Sequence, residues 1–333
     1  MTSAIPVPAD HRSVPDARPT TGAASHARVT RIVRECDDVV SIQLEPVGDD
    51  PLPSWTPGSH VDLFLPQAAV RQYSLCGRPD DRSWRLAVRR DPGGRGGSRY
   101  LHETLIEGMT LQIGTPRNHF ALVPATSYAL LAGGIGVTPL LPIAAALRER
   151  GATWRLDYVG RTAASMPFRD ELGRHGDAVN FYASDHGERL DLAVWVAGLA
   201  PSTAIYACGP PALLEALAEQ VGTRTDLALH TERFRPAATD PGDAAADTAF
   251  ELVLSESGVV TSVGSGETIL EAVEREGVFV PTACLEGTCG SCVTDVIDGV
   301  VEHRDSVLTA DEQTNQLCVC VSRCTSGRLT LRL

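Results

Sequence analysis

The sequence predicts three modules in series: a small antiparallel β-barrel, an α/β domain with a parallel sheet, and an α+β module that carries a cysteine loop. The length of 333 residues is too great for one compact core and suits two or three domains. The hydrophobic pattern also changes along the chain, from strand-like alternation to units of strand, glycine turn and helix. The predicted boundaries are a disordered tail at 1–25, the barrel at 26–123, the α/β domain at 124–235, a linker at 236–248 and the last module at 249–333.

The barrel is predicted from short runs in which apolar and polar side chains alternate between Gly and Pro turns. These runs are Val39–Leu44, His60–Leu65, Trp84–Val88 and Thr110–Ile113. Several short antiparallel strands in succession favour a small barrel. The residues before them are rich in Pro, Ala, Thr and Ser without apolar periodicity, which predicts the disordered tail.

The middle of the chain alternates predicted strands with predicted helices. The strands are Tyr128–Ala132, Thr153–Val159 and Ala204–Ala207, and the helices are Pro139–Arg150 and Ala212–Val221. Such alternation implies a parallel sheet with helices on both faces. The stretch from Pro236 to Asp247 is dominated by Pro, Gly, Asp and Ala, which predicts a flexible linker.

The last module combines strands with one short helix. The predicted elements are the hairpin strands Phe250–Leu254 and Val259–Val263, the helix Ile269–Arg275 after Thr268, and strands near Val293–Ile297 and Leu329–Leu331. The cysteine loop lies between the helix and the later strands, so the module is of the α+β class.

Four cysteines of this module have the spacing of ligands to a plant-type 2Fe-2S cluster. Three are separated by four and two residues, and the fourth follows 28 positions later: Cys284, Cys289, Cys292 and Cys320. Gly287 and Gly290 stand between the thiols, where backbone N–H groups must turn towards an anionic cluster. The alternatives are inert buried cysteines or a structural zinc site, although zinc favours two Cys-x2-Cys pairs and the loop has one. Cys318 and Cys324 flank the fourth position, Cys320. A 2Fe-2S cluster at these cysteines predicts that the protein transfers electrons.

Composition narrows the class of protein further. Nine cysteines, an odd number, argue against a disulfide framework and for a reducing compartment, so a cytoplasmic location is expected. No run of 18 apolar residues occurs, so no membrane span is expected. The net charge of −13 disfavours nucleic acid as a partner, and the last module holds 13 acidic against 5 basic residues. This one-sided charge could steer the protein to a basic partner or could simply maintain solubility. No obvious interface stripe occurs, and a monomer is expected.

Two segments of the barrel together suit a flavin. Arg71-Gln72-Tyr73-Ser74 is followed about twenty residues later by the glycine-rich run 93–98. A flavin needs a cationic fork for its phosphate, free backbone N–H donors, and an aromatic or hydroxyl group beside its ring. Each segment alone is more typical of an ordinary strand or loop, whereas their combination upstream of a nucleotide fold indicates a flavin site.

Two turns of the α/β domain suit a nicotinamide nucleotide. The strand ending at Ala132 runs into 133–139, Gly-Gly-Ile-Gly-Val-Thr-Pro, and then into a helix. Glycines allow close approach of a pyrophosphate, and the helix N-terminus offers unpaired N–H groups. A second strand ends at Cys208-Gly209-Pro210. Because ligands of parallel sheets lie beyond the carboxyl ends of the strands, Cys208 is predicted near the nicotinamide, with a buried packing role as the alternative.

These motifs, in this order over about 300 residues, resemble the phthalate dioxygenase reductase family, which includes reductases of vanillate-type O-demethylases. The resemblance implies a six-stranded ferredoxin-reductase-type barrel with FMN, a Rossmann-like NADH domain and a C-terminal β-grasp, plant-type ferredoxin. The implied FMN contacts are Arg71, Tyr73, Ser74, Gly94, Arg95, Gly96, Gly97 and Ser98. The implied NADH contacts are Gly134, Gly136, Val137, Thr138, Cys208, Gly209 and Pro210, with Arg161 placed for the adenosine ribose unless it is a solvated surface residue. Phe234 is implied to lie near the flavin, and the implied catalytic residues are Ser74, Cys208 and Phe234.

The predicted function is an NADH-dependent reductase for a two-component Rieske-type oxygenase, either an aromatic O-demethylase or a dioxygenase. Electrons are expected to pass from NADH to FMN, then to the 2Fe-2S cluster and then to a transiently bound oxygenase, because a flavin converts a two-electron donor into a one-electron source. One alternative is a reductase for a cytochrome P450 or another iron monooxygenase. Another is a non-enzymatic carrier or redox sensor whose nucleotide domain has no catalytic role.

Overall fold

The structure is a computed structural model that describes residues 25–66, 68–234, 247–309 and 311–333. The described residues form four sheets: one large sheet for each predicted module and a two-stranded sheet in the last module. Residues 1–24 of the predicted tail and residues 236–246 of the predicted linker lie outside the described residues.

The first sheet is antiparallel and has six strands, as the family resemblance implies. Its elements are β1 (Ser25–Cys36), β2 (Val39–Pro46), β3 (His60–Leu65), β4 (Ala68–Ser74), β5 (Trp84–Arg89), α1 (Gly97–Glu103) and β6 (Thr110–Ile113). The strand order is β4-β3-β6-β1-β2-β5, and a bridge between Leu75 and Leu86 joins the two outer strands. The sheet therefore closes into a barrel around fully buried side chains such as Ile42, Leu63 and Ile113.

The second sheet is parallel and has five strands. Its elements are β7 (Ser127–Gly133), α2 (Leu140–Glu149), β8 (Trp154–Gly160), α3 (Arg169–Gly173), β9 (Val179–Ala183), α4 (Leu192–Ala197), β10 (Thr203–Cys208), α5 (Pro211–Val221) and β11 (Ala228–Glu232). The order β11-β10-β7-β8-β9 brings the carboxyl ends of all five strands to one edge. Cys208 is therefore paired with Glu232 on one side and with Ala132 on the other. The hydrophobic core of this domain includes Ala87 of the barrel, so the two modules share apolar contacts.

The third sheet is mixed and packs against one helix. Its elements are β12 (Phe250–Leu254), β13 (Val259–Val263), α6 (Ile269–Arg275), β14 (Val293–Asp298), β15 (Val301–Glu302), β16 (Gln316–Cys318), β17 (Arg323–Cys324) and β18 (Arg328–Leu331). The main sheet has the order β13-β12-β18-β14-β16, with β12 and β18 parallel. Helix α6 begins with a capping box, in which Thr268 Oγ1 accepts from the Glu271 N–H at 3.1 Å and the Thr268 N–H donates to Glu271 Oε2 at 2.8 Å.

Two predicted boundaries differ from the structure. Ser25 is the first residue of β1, so the predicted tail extends one residue into the barrel. At the other boundary, Asp247 pairs with Arg304 at 2.6 Å and with Arg323 at 3.4 Å, so this residue is held by the last module. The composition of this stretch predicted a linker through this position, because composition gives no information about ion pairs with residues more than fifty positions away.

The sequence patterns did not predict β9 and β11. Both are short edge strands of the parallel sheet, with the sequences VNFYA and ALHTE. An edge strand has one neighbour and is partly exposed, so its hydrophobic pattern is weak.

Candidate redox site

A cavity of about 790 Å³ lies where the barrel meets the parallel sheet and the cysteine module. Its walls contain seven of the eight residues predicted to contact FMN: Arg71, Tyr73, Ser74, Gly94, Arg95, Gly97 and Ser98. The eighth, Gly96, has a φ of 90° and forms the turn before α1. The structure thus brings the two predicted flavin segments of the barrel to one cavity.

The glycine-rich turn packs closely against Arg71. Arg71 Nη2 donates to the backbone oxygen of Arg95 at 3.2 Å. A Cβ at Gly97 would lie 2.7 Å from Arg71 Cγ, so only glycine leaves room for the arginine stem. The pKa of Arg71 is lowered by burial and by the neighbouring Arg95 guanidinium. Two adjacent guanidinium groups at a cavity wall suit a phosphate dianion, and the residues present fit the phosphate end of a flavin.

Ser74 connects the barrel to the end of the parallel sheet. Its Oγ donates to Glu232 Oε2 at 3.2 Å. Burial raises the pKa of Glu232 to about 8, and the hydrogen bond from Ser74 opposes part of that rise. A carboxyl group with a pKa near neutrality can hold or release a proton at the cavity.

Tyr73 and Phe234 supply aromatic surface to the cavity. Burial raises the pKa of Tyr73 above its ordinary value, so its phenol stays neutral. Phe234 follows β11 and is 42% exposed. Both side chains could cover part of a planar ring system.

The two glycine turns of the parallel sheet pack directly against each other. A Cβ at Gly136 would lie 2.2 Å from the Cys208 backbone oxygen, and a Cβ at Gly133 would lie 2.6 Å from Pro210 Cδ. A Cβ at Gly209 would lie 3.0 Å from the Gly133 Cα. These glycines therefore serve the close packing of the two turns, in addition to any contact with a nucleotide.

The predicted nucleotide residues do not all lie at one surface. Thr138 lines the large cavity, whereas Val137 and Cys208 are fully buried. The buried packing role that the sequence left open for Cys208 thus describes its side chain in this structure, and its contact with nicotinamide stays a prediction. Gly134 has a φ of 54° and begins the turn after β7. Arg161 is exposed just beyond the end of β8, outside the cavity wall.

The four predicted cluster ligands are all buried. Cys292 Sγ and Cys320 Sγ are 3.2 Å apart, and the side chain of Cys284 hydrogen-bonds to that of Cys289. The hydrogen bond from Cys284 lowers the pKa of Cys289 below its ordinary value. Sulfurs arranged in two pairs suit a two-iron cluster, in which each iron takes two protein thiolates.

Backbone N–H groups of the loop point at these sulfurs. The Glu286 N–H donates to Cys284 Sγ at 3.3 Å, and the Ser291 N–H donates to Cys289 Sγ at 3.4 Å. Such donors stabilise thiolates and the negative charge of a cluster, so the loop fits the group. Gly287 and Gly290 have φ values of 66° and 69°, a backbone conformation that glycine adopts without strain.

Cys318 competes with Cys320 for the fourth ligand position, since both side chains hydrogen-bond to Cys292. Cys320 also accepts a backbone hydrogen bond from Gly287 of the loop, whereas Cys318 lies in β16 opposite Val293. The arrangement therefore favours Cys320. In the part of the chain that the structure describes, no group of three or more His, Cys, Asp or Glu side chains is placed to hold a single metal ion.

The cysteine module contacts the barrel on two sides of the loop. Arg95 Nη1 donates to the Cys284 backbone oxygen at 3.4 Å, and Arg95 Nη2 pairs with Glu286 Oε1 at 2.9 Å. On the other side, the His119 ring hydrogen-bonds to the backbone of Cys289. A Cβ at Gly290 would lie 2.7 Å from His119 Nε2. The loop that carries the thiols is thus held against the barrel beside the large cavity.

Sequence reasoning missed several residues of this site. Glu232, Glu286 and Arg89 line the cavity or contact its predicted residues, and His119 contacts the cysteine loop. The sequence signal for Glu232 is its position two residues before the predicted site residue Phe234, because β11, which ends at Glu232, was not predicted. Nothing in the sequence signals that His119 or Glu286 crosses between modules.

The comparisons with known proteins agree with this geometry. Residues 252–325 match the family described as the 2Fe-2S iron-sulfur cluster binding domain. The chain is 38% identical to the carnitine monooxygenase reductase subunit of Escherichia coli (strain K12), over 92% of this chain and 97% of that one. It is 34% identical to the solved structure of phthalate dioxygenase reductase, with a TM-score of 0.67 over 93% of this chain and 98% of that one. It is also 39% identical to the solved structure of an intact type IV self-sufficient cytochrome P450 monooxygenase, with a TM-score of 0.87. That alignment covers 93% of this chain and 41% of the longer P450 chain.

The fold and the site define an oxidoreductase that uses a flavin, a nicotinamide nucleotide and its own 2Fe-2S ferredoxin domain. Such a protein transfers electrons from a pyridine nucleotide to the 2Fe-2S cluster and serves as the reductase of an oxygenase system. The chain belongs to the phthalate dioxygenase reductase family. The predicted fold class and the predicted use of a 2Fe-2S cluster are therefore confirmed. No helix in the described ranges has the length and hydropathy needed to cross a bilayer.

Proposed function

We propose that this chain is the NADH-dependent, FMN-containing reductase component of a two-component Rieske-type oxygenase, an aromatic O-demethylase or a dioxygenase. The observation behind this proposal is that the cysteine loop borders the predicted flavin cavity. Glu286 lines the cavity, and its N–H lies 3.3 Å from the Cys284 sulfur. A short separation between two redox groups is what a reductase with an internal ferredoxin requires.

A bound flavin supplies the chemistry that accepts two electrons together and releases them singly. The residues of the chain would orient it: Arg71 and Arg95 at the phosphate, and Tyr73 and Phe234 beside the ring. Ser74, with Glu232, would hold a proton at the cavity. Their work is alignment and electrostatics.

FMN is proposed over FAD. It is supported by the two guanidinium groups of Arg71 and Arg95, which a terminal phosphate dianion would bridge. Heat release of the flavin from purified protein, followed by mass spectrometry, tests this choice. Release of FAD at one equivalent per chain would contradict it.

NADH is proposed as the electron donor, with Gly134, Gly136 and Thr138 at the pyrophosphate turn, Gly209 and Pro210 at the second turn, and Arg161 at the adenosine ribose. An exposed Arg161 could also attract the 2′-phosphate of NADPH. Comparison of kcat/KM for the two nucleotides, in the natural chain and in Arg161→Ala, decides between them. Arg161→Ala should raise the KM for NADH by only about twofold, since a hydrogen bond from an exposed guanidinium to the ribose contributes little.

The oxygenase is proposed to bind transiently through charge. The cysteine module carries 13 acidic and 5 basic residues in 249–333, which suits a basic docking surface on the partner. Turnover with a purified Rieske oxygenase, measured as product formed per NADH oxidised, should fall as ionic strength rises. The reductase by itself is expected to sediment as a monomer in sedimentation velocity experiments.

A cytochrome P450 partner is the second candidate. It is favoured by the similarity to the self-sufficient P450, which extends over 93% of this chain with a TM-score of 0.87. Coupled turnover with a P450, without turnover by any of a panel of Rieske oxygenases, would replace the first proposal with this one.

A further inference from the structure

Glu286 stands between the two predicted redox groups. Its backbone N–H bonds to the Cys284 sulfur, and its carboxylate lines the large cavity, where it pairs with Arg95. Leu285, the residue between Cys284 and Glu286, has a φ of 60°, which is unusual for a non-glycine residue. This kink lets Glu286 direct its N–H to the thiol and its side chain to the cavity.

Basic residues outnumber acidic ones at the cavity wall, where Arg71, Arg89 and Arg95 face Asp91 and Glu286. Arg71 and Arg95 both line the cavity wall, and Glu286 is the acidic residue paired with Arg95 there. Glu286 also acts on Arg71, where its negative charge raises the pKa and the Arg95 charge lowers it. A guanidinium has five N–H donors, so the two bonds from Arg95 to the cysteine loop leave donors for a further anion.

We propose that Glu286, a residue of the ferredoxin module, forms part of the flavin-phosphate site and competes with the flavin phosphate for Arg95. This inference rests on the proposed function, because it requires a flavin with its phosphate at Arg71 and Arg95. The cysteine loop then borders the cofactor site of the barrel and opposes phosphate binding through this carboxylate. The affinity for the cofactor and the contact between the barrel and the cysteine loop both depend on the Arg95 guanidinium. A change in one therefore changes the other, because coupling between two binding events is reciprocal.

The expected magnitude follows from the exposure of the pair. The side chains of Arg95 and Glu286 are 50% and 32% exposed. Exposed charge pairs contribute at most about 1 kcal/mol, which corresponds to about a fivefold change in a binding constant. Removal of the Glu286 charge should therefore strengthen FMN binding by about two- to fivefold.

The test is the affinity of the flavin-free full-length chain for two flavins. FMN and riboflavin are titrated by fluorescence quenching into the natural chain, into Glu286→Gln and into the control Glu256→Gln. Glu256 is an exposed carboxylate of the same module, so its variant carries the same charge change away from the cavity. Glu286→Gln should lower the Kd for FMN and leave that for riboflavin, which lacks the phosphate, unchanged. Glu256→Gln should change neither.

An unchanged or weaker FMN affinity in Glu286→Gln would overturn the inference while leaving the proposed function intact. An equal change for FMN and riboflavin would also overturn it, because the effect would then not act through the phosphate. The gain should diminish between about 50 mM and 500 mM salt, since ions screen exposed charges. If neither flavin binds to the natural chain, the proposed function itself fails.

Discussion

Gly290→Ala should weaken the attachment of the cysteine loop to the barrel. Gly290 has a φ of 69°, a backbone region that costs an L-residue about 1 kcal/mol or more. The new Cβ would lie 2.7 Å from His119 Nε2 and 2.8 Å from His119 Cε1. These atoms are at the end of the side chain, so the ring would turn away and lose its hydrogen bond to the Cys289 backbone, at a cost of about 1 kcal/mol.

A matched control separates the two costs. Gly258 has a φ of 67°, lies in the same module, and a Cβ there would meet nothing within 4 Å. Gly258→Ala should therefore lose about 1 kcal/mol and Gly290→Ala about 2 kcal/mol. For a module of this size each kcal/mol lowers the unfolding midpoint by about 4–8 °C.

The assay is the thermal midpoint for loss of visible absorption by the cluster, measured in the full chain. Gly290→Ala should also slow flavin-to-cluster transfer in stopped-flow, whereas Gly258→Ala should leave it unchanged. In a His119→Ala background the two glycine variants should lose the same amount, because the contact has already been removed. Equal midpoints for the two variants in the natural background would refute the assigned role of His119.

Further variants test the cluster ligands and the proton-holding pair. Cys320→Ser should abolish the cluster spectrum and cytochrome c reduction while NADH still reduces the flavin, and Cys318→Ser should retain the spectrum; the reverse pattern would exchange their roles. Because the pKa of Glu232 is raised to about 8 from its ordinary 4.5, the folded chain keeps a proton that the unfolded chain releases. The free energy of unfolding should therefore fall as the pH rises from about 4.5 to about 8, and Glu232→Gln should flatten this slope in denaturant titrations. Ser74→Ala should raise the pKa of Glu232 further and slow the reduction of the flavin by NADH about tenfold or more. A pH profile of flavin reduction identical to that of the natural chain would contradict this prediction.

Local sequence predicted much of this site because its chemistry depends on spacing. The loop that carries Cys284, Cys289 and Cys292 is short, and its conformation follows from the glycines between the thiols. The glycine-rich run around Arg95 and the segment around Arg71 lie about twenty residues apart, yet both line the same cavity as predicted. Glycine requirements and alternation patterns are local, so they can be read from the chain.

Other parts of the site depend on contacts that no local pattern records. Ser74 and Glu232 are 158 positions apart, and Arg95 and Cys284 are 189 positions apart. Cys208 illustrates the same limit, because its position at the end of a strand is evident from the sequence but its full burial is not. Side-chain burial depends on which modules pack over a residue.

The sequence by itself thus determined the three modules, the glycine-rich turns of the barrel and of the parallel sheet, and the spacing of the thiols, because short-range backbone geometry governs each of them. Only the tertiary structure decided that Glu286 and His119 join the cysteine loop to the barrel and that Glu232 faces Ser74. These contacts form when separate modules pack together, and the packing is set by surfaces assembled from residues that are distant in the chain.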